Sequence, residues 1–368
     1  MDTLLRLSRS TAPYTLLLAG LLLLAGCDFG VSNDDVNENV RTTDIAVANA
    51  GAFGGQNSSF TFIDPNEESA TTGSTFASYI QSHTLLDDRF LAVFGETGTI
   101  GIFDLETKEQ TGQVTDIPNP RYVISDNQLA YVTSQDFTGE ETPAVYVVDL
   151  NERTIIDTIE LEANPEGLTG TSSSLYVATG EVDGQIVEIN RSDNSIADTI
   201  DPECDTPRRT FMTDQQLLVV ACSGATIFDD NFEVEERTDG ALRIIDPVND
   251  TIVDRKDLSG QLTSASEQQR AFYTRAGNTL FAVLEENTIV QYNTRNGDLS
   301  DFTVDGPPVG AIAFDVVNER LYLGRPDPDN PFGAAGTVTV HEPGGDQVLS
   351  YEAGIAPGHI ALRITQNQ

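Results

Sequence analysis

Short runs of alternating apolar and polar residues recur along most of the chain, and each run is typical of a half-buried β-strand. Seven of these runs end in an acidic residue, an asparagine or a histidine, and they are spaced by about 46 residues, a period typical of propeller blades. The seven are FTFID (60–64), IGIFD (100–104), VYVVD (145–149), QIVEIN (185–190), LRIID (242–246), IVQYN (289–293) and VTVH (338–341). No segment after the first 26 residues shows sustained helical periodicity, so the pattern predicts an all-β fold.

A second apolar run precedes each of the seven, and a turn with a polar run follows most of them. The preceding runs are IAVAN (45–49), FLAVFG (90–95), LAYVTS (129–134), LYVATG (175–180), LLVVAC (217–222), LFAVL (280–284) and LYLG (321–324). A further strand often begins after a proline, so each unit has four strands, and seven units predict a seven-bladed β-propeller. The first unit lacks an inner strand, whereas GHIALRI (358–364) is left over. We expect this C-terminal strand to join the first blade and close the ring, which removes an open sheet edge.

The repeat resembles that of the YVTN or YncE-like propellers, whose blades read approximately LYVTN…VSVID…T…VVATIPVG. The matching strings are YVTS (131–134), VYVVDLNERTIIDTI (145–159) and ALRIIDPVNDTIV (241–253). The string VANAGAFGGQNSSFTFIDPN (47–66) is similar to the opening blade of a Bacteroidetes-type lipoprotein branch. The resemblance covers residues 43 to 365 and implies the propeller fold. Some relatives of this architecture capture cobalamin at the cell surface for a TonB-dependent outer-membrane transporter, so corrinoid capture is one concrete function that the resemblance implies.

The first residues are organised like the signal peptide of an exported lipoprotein. Arg6 and Arg9 form a positively charged start, and residues 14–24 form an apolar run too short for a comfortable membrane span. The run ends in LAGC (24–27), which resembles the bacterial lipobox. We expect cleavage before Cys27 and lipid on its thiol, which would anchor the protein to a membrane. The alternative is an ordinary secretory signal that happens to contain a cysteine.

This interpretation divides the chain into three parts. Residues 1–26 form the signal peptide, residues 27–42 a flexible acidic tether and residues 43–368 the seven-bladed propeller. Acidic residues after the lipidated cysteine resemble a surface-export signal, whereas Asp28 directly after it resembles an inner-membrane retention signal. We expect lipid anchoring in the cell envelope, at the outer membrane or cell surface rather than at the inner membrane.

The charge is extreme: 58 acidic residues stand against 20 basic ones, and the formal net charge is −38. Only Lys108 and Lys256 are lysines. An acidic, lysine-poor composition resembles halophilic proteins, in which dense counterions screen the self-repulsion. The charge also argues against a nucleic-acid partner, because a phosphate backbone would be repelled. Hydrophobic residues make up 39% of the chain, enough for a globular core, and we expect a monomer.

Four connections between second and third strands are long, and we expect them on the rim where the first strands begin. They are residues 50–58, 135–144, 223–240 and 325–336. Long loops on a rigid scaffold often carry binding residues. The candidate ligand contacts among the aromatic residues near this rim are Phe53, Tyr79, Phe137, Phe228 and Phe332.

Basic residues gather at the starts of the first strands, around the expected mouth of the central channel. They are His83, Arg121, Arg208, Arg209, Arg270 and His359. The functional interpretation is a pocket for an anionic or polar ligand, because guanidinium forks suit carboxylate and phosphate groups. The alternative is structural: arginines at blade junctions tie neighbouring loops together through acidic partners. Two histidines are too few for a metal site, so we expect neither a metal nor a cofactor.

Cys204 and Cys222 lie at the start of one strand and the end of its expected antiparallel neighbour. A disulfide between them is geometrically feasible in an oxidising compartment, although their Cα atoms could also lie too far apart. No nucleophile motif, P-loop or HExxH motif is present, and the absence of tryptophan argues against a quinoprotein propeller. The leading hypothesis is a non-enzymatic binding lipoprotein for a small molecule, a glycan or a protein partner. The alternatives are a lactonase-like metal-dependent hydrolase and a structural or adhesion propeller.

Overall fold

The computed structural model describes residues 40–86, 88–126, 128–213, 215–229, 231–263 and 279–366. The first blade contains β1 (Val40–Asn49), β2 (Ser59–Asp64) and β3 (Ser69–Thr72). The second contains β4 (Ile80–Leu85), β5 (Arg89–Phe94), β6 (Thr99–Asp104) and β7 (Gln110–Val114). The third contains β8 (Pro120–Ser125), β9 (Leu129–Ser134), β10 (Ala144–Asp149) and β11 (Thr154–Glu160). The fourth and fifth blades contain β12 (Pro165–Gly170), β13 (Ser174–Thr179), β14 (Ile186–Asn190) and β15 (Ser195–Ile200); and β16 (Pro207–Met212), β17 (Leu218–Cys222), β20 (Ala241–Asp246) and β21 (Thr251–Asp257). The last two contain β22 (Thr279–Val283), β23 (Thr288–Asn293) and β24 (Leu299–Thr303); and β25 (Ala311–Asp315), β26 (Arg320–Arg325), β27 (Ala335–His341) and β28 (Gln347–Ile355).

These strands form seven antiparallel sheets arranged as a seven-bladed β-propeller, as the repeat predicts. Two further strands, β18 (Thr226–Phe228) and β19 (Val234–Arg237), form a separate two-stranded ribbon between β17 and β20. The described part of the sixth blade has three strands, and the expected inner strand of that blade lies outside the described residues. None of the helices in the described ranges is long and apolar enough to cross a membrane.

The C-terminal strand closes the ring. Strand β29 (Pro357–Gln366) pairs antiparallel with β1 and becomes the inner strand of the first blade, which confirms the predicted closure. The pairing places Ile45 opposite Leu362 and Val47 opposite Ile360. It also begins at Val40, three residues before the predicted start of the propeller, so residues 40–42 are part of a strand.

The core lies between blades. The described residues contain seven clusters of buried apolar side chains, one at each interface between neighbouring blades. This distribution follows from strand geometry, because successive side chains point to opposite faces of a blade and each face packs on a different neighbour. At the first interface Phe90 stacks on Phe103 with ring centroids 4.7 Å apart, and Phe60 packs edge-on against Phe90 at 5.0 Å. The apolar runs that mark the strands therefore also bind the blades into one ring.

A turn explains why the third strands end in an aspartate or asparagine. In six blades the side-chain oxygen of this residue accepts hydrogen bonds of 2.7 to 3.3 Å from backbone N–H groups two or three residues later. The residues are Asp64, Asp104, Asp149, Asn190, Asp246 and Asn293. Aspartate and asparagine stabilise such turns because their short side chains reach the backbone ahead of them. In the seventh blade His341 replaces them, and its Nδ1 lies 2.8 Å from the carbonyl oxygen of Gly345.

Candidate binding rim

The long connections between second and third strands occur on alternate blades. In the first, third, fifth and seventh blades they span residues 50–58, 135–143, 223–240 and 326–334. The corresponding connections of the second, fourth and sixth blades are short, spanning residues 95–98, 180–185 and 284–287. We call the four long connections the rim loops. In a four-stranded antiparallel blade, the link between second and third strands lies at the same end as the entry to the first strand, so the rim loops share one face of the ring.

Each rim loop carries a strongly exposed phenylalanine. The exposed fraction is 83% for Phe53, 65% for Phe137, 54% for Phe228 and 59% for Phe332. Phe232 on the third rim loop is 88% exposed, and the sequence interpretation did not include it. It lies in a stretch of charged and polar residues, where no apolar periodicity singled it out. Among the described residues, no phenylalanine outside the rim loops is exposed.

Tyr79 is half-buried, unlike these phenylalanines. Its ring lies 5.7 Å from that of Phe53, centroid to centroid. Its backbone N–H donates a 3.0 Å hydrogen bond to Glu96, and the other carboxylate oxygen of Glu96 accepts a 2.5 Å bond from the backbone of Gly54. Tyr79 therefore supports the base of the first rim loop, and Glu96 connects that loop to the second blade.

Two of the predicted arginines converge on one buried carboxylate. Glu166 has a side chain only 4% exposed, and its oxygens lie 2.6 Å from a guanidinium nitrogen of Arg208 and 3.5 Å from one of Arg121. Burial alone would raise the pKa of Glu166, but Arg121, Arg208, a hydrogen bond from Gln135 and Arg209 together lower it below its ordinary value. Glu166 is therefore ionised, and this arrangement matches the structural alternative for Arg121 and Arg208. The sequence pattern predicted acidic partners for such arginines but did not identify Glu166 as the common partner of Arg121 and Arg208.

Arg209 lies next to Arg208 on β16 but has a different environment. Its guanidinium carbon lies 3.8 Å from the centroid of the Tyr122 ring, a cation–π contact. The close approach depends on Gly167, since a Cβ atom there would lie 2.5 Å from Nη1 of Arg209 and 2.6 Å from the carbonyl oxygen of Arg208. Gly180 likewise leaves space for Glu166, whose Cγ would lie 2.5 Å from an added Cβ.

The second rim loop is hydrogen-bonded to residues that precede Glu166 in the chain. Gln135, at the start of the loop, donates a 3.0 Å hydrogen bond to the carbonyl oxygen of Pro165. The backbone N–H of Asp136 donates a 2.7 Å bond to the side chain of Asn164, whose amide in turn donates to the carbonyl oxygen of Asp136 at 3.1 Å. The loop that carries Phe137 is thus joined to the entry of the fourth blade.

His83 and His359 meet at the junction between the first and second blades. Their Nδ1 atoms lie 2.7 Å apart, and Nε2 of His83 lies 3.1 Å from the carbonyl oxygen of Ala46. A carbonyl oxygen only accepts, so Nε2 of His83 carries a proton. In the neutral pair His359 then donates through Nδ1 to Nδ1 of His83. The two histidines thus form a hydrogen bond with each other where β29 closes the ring.

Cys204 and Cys222 form a disulfide with Cα atoms 6.1 Å apart, at the base of the third rim loop. Cys27 and Arg270 lie outside the described residues. No group of three or more His, Cys, Asp and Glu side chains within the described ranges is arranged to hold a metal ion.

Comparison with known proteins shows the fold. No protein-family model matches the chain, and no curated protein matches it. A functionally unknown protein from Desulfotomaculum acetoxidans is 12% identical with a TM-score of 0.64, over 89% of this chain and 100% of that one. A candidate 6-phosphogluconolactonase from Bacteroides uniformis is 11% identical with a TM-score of 0.61, over 88% and 99%. Hydrazine synthase from Kuenenia stuttgartiensis is 14% identical with a TM-score of 0.60, over 76% and 92%. Identities this low show a shared β-propeller fold alone, so the resemblance to the YVTN or YncE-like family stays a prediction.

Proposed function

We propose that this protein is a non-enzymatic binding lipoprotein of the cell envelope, and that its rim loops hold the partner. The observation that carries the proposal is the placement of all exposed phenylalanines of the described residues on the rim loops. Exposed aromatic side chains gathered on one face of a soluble ring are typical of a binding surface. Large aromatic side chains also dominate the energy of many interfaces.

Hydrogen bonds fix the bases of the first and second rim loops, and this favours a binding role. Glu96 holds the first loop, and Asn164 and Gln135 hold the second. Loops that are already in their bound conformation lose less conformational entropy when a partner arrives. In this proposal the phenylalanines make the contacts, whereas Arg121 and Arg208 support the loop bases through Glu166.

The anchor completes the proposal. Lipid on Cys27 and the segment that follows it would tether the ring to a membrane, at the outer membrane or the cell surface. A Cys27→Ser variant should lose incorporation of labelled palmitate and move from the membrane fraction to the soluble fraction. Retention of both label and membrane association would refute the anchor without affecting the rim.

The test of the rim uses three defined probes: cyanocobalamin, oligosaccharides of known composition, and a peptide of alternating lysine and leucine blocks. We expect at least one probe to bind the mature chain in calorimetry. The variant Phe53→Ser/Phe137→Ser/Phe332→Ser should then weaken binding by about tenfold or more, the usual effect of removing interface aromatics. The matched control is Val248→Ser, since Val248 is 85% exposed but lies in a turn between third and fourth strands. Equal affinity of the triple variant and the control would refute the assignment.

A further inference from the structure

The third rim loop differs from the others because it contains its own secondary structure. Strands β18 and β19 pair antiparallel, with Thr226 opposite Arg237 and Phe228 opposite Val234. Among the described strands the two pair only with each other, outside the sheet of the fifth blade. We call this ribbon, with its described turn residues, the arm.

Apolar side chains are exposed at the tip of the arm. Phe228 and Val234 are direct partners in the pairing, so their side chains lie on the same face of the ribbon. They are 54% and 58% exposed, and Phe232 in the turn is 88% exposed. Three large apolar side chains are thus presented to solvent within a segment of a few residues.

The turn of the arm is built around Phe232 at a steric cost. Phe232 has a φ angle of +63°, in the left-handed region that favours glycine and is unfavourable for a bulky side chain. The turn is held by Asp229, whose carboxylate accepts hydrogen bonds from the backbone of Asn231 at 2.8 Å and Glu233 at 2.9 Å. These bonds lower the pKa of Asp229, so the carboxylate that holds the turn stays ionised. A glycine in place of Phe232 would relieve the backbone strain. The strained position is therefore occupied by a phenylalanine whose ring is exposed to solvent.

The base of the arm is fixed. The side-chain amide of Gln261 donates to the carbonyl oxygens of Ala225 at 2.6 Å and Thr238 at 2.9 Å, and its oxygen accepts from Arg237 at 3.0 Å. The Cys204–Cys222 disulfide lies at the start of the same loop. An apolar tip on a fixed base is preorganised for insertion into a complementary site.

The charge of the arm limits the kind of partner. Carboxylates flank the apolar side chains: Glu233, Glu235 and Glu236 are exposed, and Asp229 is half-buried. The cation of the arm, Arg237, forms an ion pair with Glu285 of the sixth blade. A complementary surface is therefore apolar at its centre and basic at its edge. A second copy of this chain or an anionic membrane would be repelled by the same charge, since each chain carries −38.

We propose that the arm is a docking element that inserts Phe228, Phe232 and Val234 into an apolar cleft bordered by lysine and arginine on a partner protein. This inference rests on the proposed binding function of the rim and names the partner class for one of its loops. The cleft receives the apolar tip, and the basic border meets the carboxylates on either side of it.

The experiment uses the mature chain, whose closed ring contains all the described contacts of the arm. Three synthetic peptides of equal length serve as probes: lysine with leucine, lysine with serine, and glutamate with leucine. Binding is measured by fluorescence anisotropy for the wild-type protein, for Phe228→Ser/Phe232→Ser and for the same-blade control Val248→Ser. We expect the lysine–leucine peptide to bind the wild-type protein and the control most tightly, and the double variant about tenfold or more weakly. Binding of the lysine–serine peptide should be unchanged by the substitutions.

The possible results separate this inference from the proposed function. Loss of binding in Phe53→Ser/Phe137→Ser/Phe332→Ser with no loss in the arm variant would overturn the arm inference and leave the rim proposal standing. No loss in either variant would overturn both. Equal binding of the glutamate–leucine peptide would refute the charge argument. Arm-dependent binding to phosphatidylcholine vesicles, or arm-dependent dimerisation in sedimentation velocity, would also overturn the inference in favour of those occupants.

Discussion

The substitution Glu166→Gln tests whether the buried carboxylate holds the rim together. It removes the charge that faces Arg208 at 2.6 Å and Arg121 at 3.5 Å, and leaves the shape of the side chain almost unchanged. Both guanidinium groups would remain where little water reaches them, because their side chains are 22% and 18% exposed. Breaking a buried pair by removing one partner costs about 3 kcal/mol, so we expect the free energy of unfolding to fall by about that amount.

The matched control is Glu203→Gln. Glu203 pairs with Arg255 at the same 2.6 Å separation, but the two side chains are 59% and 50% exposed. Exposed pairs contribute about 1 kcal/mol or less because water screens them, so this control should change stability little. Urea unfolding followed by far-ultraviolet circular dichroism compares the two variants with the wild-type protein. Equal effects of the two substitutions would refute the argument from burial.

Acid provides a second check on Glu166. Its pKa is lowered in the folded protein, so its contribution to stability is complete above the unfolded-state pKa of about 4.3 and is lost as the pH falls through the lower folded-state value. The difference in the free energy of unfolding between the wild-type protein and Glu166→Gln should therefore be constant near neutral pH. It should shrink in acid, where the wild-type carboxyl also becomes neutral. A difference that does not shrink in acid would show that the amide disturbs the packing and that the charge is not what matters.

Two further predictions concern close packing and total charge. Gly167→Ala should destabilise the protein by about 1 to 3 kcal/mol, because an added Cβ would lie 2.6 Å from the backbone oxygen of Arg208. In the same urea assay Gly344→Ala should have little effect, since nothing lies within 4 Å of its added Cβ, and equal effects would contradict the packing argument. Raising NaCl from about 0.1 to 1 M shortens the Debye length from about 10 to 3 Å, so a chain with a net charge of −38 should melt at a higher temperature. A melting temperature in differential scanning calorimetry that falls or stays constant would contradict the importance of self-repulsion.

Much of the fold could be predicted because its causes are local. Alternation of apolar and polar residues follows from a strand that packs on a blade at each face, and the recurrent aspartate or asparagine follows from a turn made within four residues. The leftover strand at the C-terminus identified the closure, because a strand without a partner in its own unit must pair elsewhere. The exact start was less predictable: residues 40–42 lie in a polar segment, and they form a strand because β29 extends far enough to pair with them.

Only part of the candidate site could be foreseen. The repeat predicted the rim loops and four of the exposed phenylalanines, because both depend on position within a blade. It did not predict that β18 and β19 form a ribbon, since the local sequence is dominated by charged residues and the pairing depends on anchors such as Gln261. Phe232 was missed for the same reason, as its exposure results from a left-handed turn that Asp229 holds.

The sequence by itself determined that this chain is a ring of seven blades closed by its own C-terminal strand, because backbone pairing and burial leave a period that can be counted. The tertiary structure alone decided which charged groups meet. Glu166, Arg121 and Arg208 lie on three different blades, and no period in the sequence shows that one carboxylate serves two guanidinium groups. His83 and His359 are separated by 276 residues and bond to each other only because the ring closes. The apolar–polar pattern depends on the position of each residue within its own strand, whereas contacts between blades depend on how the strands are arranged around the ring.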